Sequence, residues 1–137
     1  MKGVNWTAVV IAAIVMYLIG WLWYGMLFEA QWMALSGVTA EQMAQGGTTA
    51  MILGAVNSLV TAVGLGWAVP RLGGGGWVGG ARTGFLIGLF FACTSLAYAF
   101  IYGGAPTGLI PIDGGHFLVI YTVGGAVIGG LKLGRSA

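Results

Sequence analysis

"LGWAVPRLGGGGWVGGARTGF" occupies Leu65–Phe85, and its reading decides the fold. It sets eight glycines, one proline and two of the chain's five basic residues between stretches that are almost wholly apolar. A glycine run of this kind can cradle phosphate, but "LGGGGWVGG" lacks the Gly-Lys-Ser/Thr ending and has no strand before it. The alternative is a turn between two apolar rods, with Arg71 and Arg82 holding it on one side of a membrane.

Composition favours the turn. The chain has 137 residues, of which 58% are hydrophobic and 6% charged, and its mean hydropathy is +0.95. Soluble domains carry roughly 25% charged residues. Five basic and three acidic side chains cannot coat a 14.1 kDa globule in water. Lipid is therefore the expected solvent for most of the surface, with one compact domain over residues 1–137. A net charge of +2 without a basic cluster gives no reason to expect a nucleic-acid partner. The single cysteine, Cys93, lies in an apolar run and reads as a small packing residue. One Cys and one His are too few for a zinc-type metal site, and neither metal nor cofactor is expected.

Four spans follow from the uncharged stretches, at about residues 4–28, 49–69, 83–103 and 115–132. The first lies between Lys2 and Glu29, too long for the apolar core of a signal peptide, and is expected to be retained. The second is expected to stop at Pro70. The fourth begins beyond "GLIPIDGGH", with Asp113 offered as its N-cap. The fold class expected is thus all-α, an integral membrane four-helix bundle. Phe28, Trp32 and Leu35 recur at helical spacing and predict a short amphipathic interfacial segment in the first outer loop.

With four spans, one side receives Lys2, Arg71, Arg82, Lys132 and Arg135, all the basic residues; the other receives Glu29, Glu41 and Asp113, all the acids. Basic residues stay on the cytoplasmic side during insertion, so both termini are expected there, in a bacterial inner membrane.

Three stretches resemble one family: "GWLWYGMLFEAQWMALSG" at Gly20–Gly37, "GFLIGLFFACTSLAYAFIYGGAP" at Gly84–Pro106 and "IDGGHFLVIYTVGGAVIGG" at Ile112–Gly130. Trp23, Tyr24, Phe28 and Trp32, then Glu41, and the Ile112-Asp113-Gly114 turn carry most of the likeness. The chain resembles the bacterial domain-of-unknown-function 1761 family of small four-span membrane proteins. His116 stands where the family's pattern leads one to expect an aromatic such as tyrosine. The resemblance implies an architecture and no activity.

Polar groups cluster near mid-membrane depth: Tyr17, Asn57, Ser58, Thr61, Thr94, Ser95, Tyr121 and Thr122. Asn57 is expected to point inward, toward Thr94, Ser95 or Tyr121, because an amide in hydrocarbon needs partners. Such a layer either fixes helix packing by hydrogen bonds or lines a narrow path for a small solute. Small residues four apart mark close-contact faces: Ala50 with Gly54, Gly84 with Gly88, and Gly125 with Gly129. One bundle cannot turn every such face inward, which points to a homo-oligomer or a larger membrane complex. At the outer surface His116 and Asp113 are expected to pair, with Glu29 and Glu41 in water. A lone histidine among aromatics also suits a pigment or haem ligand; an interfacial hydrogen-bonding role is the plainer reading. No serine is marked as a nucleophile beside these groups, and two loop glutamates do not make a catalytic pair. A non-enzymatic packing module is the reading adopted, with a homo-oligomeric small-solute permease around Asn57 as the alternative.

Overall fold

α1 (Trp6–Leu22) runs without a break into a π-helical turn (Trp23–Leu27). After it come α2 (Glu29–Ser36), α3 (Ala40–Arg71) and α4 (Gly76–Ile87). A second π-helical turn (Gly88–Cys93) leads into α5 (Thr94–Ile101), and a 3-10 turn (Thr107–Leu109) opens α6 (Ile110–Gly130). This is the computed structural model of the chain, which describes residues 3–131; Lys2, Lys132 and Arg135 lie outside the described residues. With their π and 3-10 turns joined on, four rods of 22, 32, 26 and 24 residues are long and apolar enough to cross a membrane.

Local chemistry extends three of the rods beyond their expected starts. α3 begins at Ala40 rather than near Thr49, because Thr39 and Gln42 form a reciprocal capping box. Its 32 residues measure about 48 Å at about 1.5 Å each, more than a hydrocarbon core of about 30 Å. The surplus is the exposed polar first turns around Glu41, Gln42 and Gln45. α3 also passes Pro70 by one residue to end at Arg71, whose guanidinium donates to the Trp67 carbonyl at 2.8 Å and stacks over the Trp67 ring. α4 starts at Gly76 rather than near Thr83. The glycine turn is therefore only Leu72–Gly75, and Arg82 lies inside α4 rather than at the turn's edge. α6 starts at Ile110, with Pro111 in its first turn, where a missing N–H costs nothing. Leu109 is the residue before it, so Asp113 is a first-turn acid and not the N-cap.

The segment after the first rod is the expected short helix, α2. Trp32, Met33, Leu35 and Ser36 are half-buried while Glu29, Gln31 and Ala34 are exposed. Leu35 lies against Gly108 of the 3-10 turn, which docks the segment on the start of α6.

α6 is the hub, packing on α1, α3 and α4, whereas α3 meets α4 only slightly. Two kinds of contact hold it. Toward α1 and α3 the contact is side-chain packing: Val9, Ala12 and Met16 meet Ala62, Leu65 and Val69, with Ile120 and Val127 closing the cluster. Toward α4 it is backbone on backbone. A Cβ at Gly84 would fall on the Tyr121 carbonyl, and one at Gly80 on that of Gly125. In a bilayer, where no hydrophobic drive acts between rods, such close approach would supply dispersion contacts that bulkier residues forbid. The faces of Gly84, Gly88, Gly125 and Gly129 are thus spent inside one chain, and Gly54 faces Tyr17 of α1. α4 and α6 thus satisfy each other along these four glycines, while Ala50, four residues before Gly54, stays exposed.

Asn5 ties the ends of the bundle. Its side-chain oxygen accepts from the Ala8 N–H at 3.1 Å, and its side-chain nitrogen donates to the Leu131 carbonyl at 2.9 Å. The start of α1 and the end of α6 therefore share one end of the molecule.

Candidate functional site

The other end of the bundle is built around the first turns of α6. A π-helical turn skips the ordinary register, here with the Phe28 N–H reaching back to the Trp23 carbonyl at 2.9 Å. That turn aims Trp23 and Tyr24 at α6: Trp23 Nε1 donates to the Ile112 carbonyl at 3.0 Å, and the Tyr24 hydroxyl donates to Asp113 Oδ1 at 2.9 Å. The second π-helical turn ends at Cys93, whose Sγ lies 3.7 Å from the Gly114 carbonyl. Three side chains from two π turns thus converge on three consecutive residues, Ile112–Gly114.

His116 sits one turn further in, and here the structure corrects two expectations. Asp113 accepts from Tyr24, and no hydrogen bond joins it to His116 among the described residues. Nor does His116 act as an interfacial hydrogen-bonding group, since both of its ring nitrogens are buried and neither has a hydrogen-bond partner among the described residues. The ring lies among aromatics instead, with centroids 4.8 Å from Tyr24, 5.9 Å from Phe117 and 6.1 Å from Trp23. Gly20 of α1 admits the imidazole: a Cβ there would stand 3.2 Å from His116 Nε2. Glu29 is exposed at the start of α2, and Glu41 in the first turn of α3.

Below His116 a cleft of about 380 Å³ opens between α1, α3 and α6, lined among others by Tyr17, Gly20, Tyr24, Ala50, Asn57, Ser58, Thr61 and His116. A second, of about 400 Å³, lies where α3 stands away from α5, and brings Asn57 and Thr61 together with Ser95 and Tyr121. Tyr17, Asn57, Ser58, Thr61, Ser95 and Tyr121 therefore line one or both of two open clefts, and Thr94 and Thr122 line neither. Asn57 is exposed, and among the described residues no hydrogen bond joins it to Thr94, Ser95 or Tyr121. Thr94 is directed elsewhere: its hydroxyl donates back to Phe90 at 2.6 Å within its own helical segment, and Thr122 does likewise to Leu118. Helix hydroxyls satisfy themselves in this way without a neighbour, whereas Asn57 makes no such bond to its own helix among the described residues.

The π turns and the His116 pocket carried no signal in the sequence beyond Gly20 and Gly25 beside bulky aromatics, a pattern too common to single out. Comparison with curated proteins and with solved structures finds no match. The family model described as "Protein of unknown function (DUF1761)" matches residues 7–129, and the chain belongs to that family.

Proposed function

We propose that the chain is a non-enzymatic packing module of the bacterial inner membrane, which self-associates or joins a larger complex through the groove around Asn57. One observation carries this reading. Asn57 projects from the middle of an apolar 32-residue helix, exposed and without a hydrogen bond among the described residues. A polar group left unsatisfied in hydrocarbon costs several kcal/mol. A second polar surface laid into the α3–α5 groove removes that cost, and Ser95 and Tyr121 on its far wall offer further partners. The glycine faces, already used between α4 and α6, do not contribute to the argument.

Native mass spectrometry after gentle extraction tests it: more than one copy, or a companion chain, is expected, and Asn57→Leu is expected to lower the multiplicity. A strict monomer with no companion overturns it. The permease reading rests on Asn57 and Thr61 lining both clefts at once. Solute flux in liposomes that Asn57→Leu abolishes while the assembly survives would favour that reading over the module.

A further inference from the structure

The cleft between α1, α3 and α6 has an address that packing does not explain. His116 contributes an imidazole whose two nitrogens have no partner, in a place where burying a polar group without a hydrogen bond is costly. An imidazole kept only to fill space would be replaced at no loss by an apolar ring. Opposite it, at the deeper end, stand Asn57, Ser58 and Thr61. Between the two polar ends the walls are Tyr17 and Phe117, both ring-bearing.

The lining defines the occupant. Gly20 faces His116, and Gly54 faces Tyr17. A six-membered ring bearing an oxygen at each end suits such a lining, aromatic between two hydrogen-bonding ends. We propose that this cleft binds a neutral, lipid-soluble quinone or quinol head group, one oxygen held by His116 and the other by the Asn57 end. A half-turn of the imidazole about its Cβ–Cγ bond exchanges each nitrogen with a carbon, bringing a nitrogen to the ligand side. A neutral imidazole holds one donor and one acceptor, so it serves a carbonyl or a hydroxyl alike. A cavity of about 380 Å³ takes a single substituted ring. The binding does not depend on self-association, because every group named belongs to one chain.

The test uses the full chain in quinone-free micelles, titrated with a 1,4-benzoquinone bearing one isoprene unit and followed by native mass spectrometry. A saturable adduct of one quinone per chain is expected. His116→Phe is expected to weaken it about tenfold, the size of effect a lost buried hydrogen bond gives. Gly20→Ala, which crowds the ring at 3.2 Å, weakens it too and carries the test should His116→Phe fail to fold. Gly64→Ala, on an open face, leaves it unchanged. No adduct with the natural sequence, or an adduct indifferent to both His116→Phe and Gly20→Ala, overturns the proposal. So does competition by a sterol or diacylglycerol that outranks the quinone. Loss of the adduct with the copy number unchanged, or the reverse, separates this site from the assembly groove.

Discussion

At the scale of single residues the clearest contrast is between glycines of identical appearance in the sequence. Gly84 is buried, and any side chain there would collide with the backbone of Tyr121, whereas Gly64 faces open space. Gly84→Val is expected to destabilise by about 1–3 kcal/mol, as overpacking does, or to detach α4 altogether. Gly64→Ala is expected to stabilise by up to about 1 kcal/mol, since alanine restricts the unfolded chain and suits a helix better. Denaturant titration of the purified protein in micelles reads both, and equal effects would show that the α4–α6 contact is not backbone-close. Both glycines are equally visible as candidates for close packing, but which of them faces a neighbour is a property of how the rods are rotated about their own axes.

At the scale of elements, the start of α6 is held by three side chains from two π-helical turns. Tyr24 to Asp113 is the link with a carboxylate acceptor. Tyr24→Phe removes the hydroxyl and keeps the ring beside His116, so a cost of about 1 kcal/mol is expected at this half-buried position. Hydrogen exchange at the amides of residues 112–116 is expected to quicken several-fold while the exchange of α3 stays unchanged. Uniform quickening throughout the bundle would mean that the contact serves global stability rather than this clamp. The Ile112-Asp113-Gly114 turn was legible as a feature of the sequence, and Trp23 and Tyr24 as an aromatic cluster. Their meeting was not, because a π turn changes which way a side chain points by adding one residue to a helical turn, and no residue type demands it.

At the scale of the whole molecule, the sorting of charge has a direct consequence. Glu41 lies at the α3 end nearest the His116 cluster, and Arg71 at the opposite end of that helix. In a Cys93→Ala background, single cysteines at Lys2 and at Glu41 are expected to label from opposite sides of the membrane, Lys2 from the cytoplasm. Labelling of both from one side would reverse the four-span reading and, with it, the proposed location. That four apolar rods exist follows from composition and from uncharged runs longer than a bilayer is thick. Their approximate positions follow from where charges and proline interrupt those runs.

What the amino-acid order alone determined was therefore the number of long apolar rods, their helical nature and the family, each a consequence of local hydropathy and of stretches of residues read one after another. The tertiary structure decided the rest: that the glycine faces of α4 and α6 consume each other, that Asp113 answers Tyr24 instead of His116, and that Asn57 is left on an open groove. The reason is geometric. Local sequence sets whether a segment is a helix and how apolar it is, but the rotation of each helix against its neighbours is chosen collectively, by the contacts of all four rods at once.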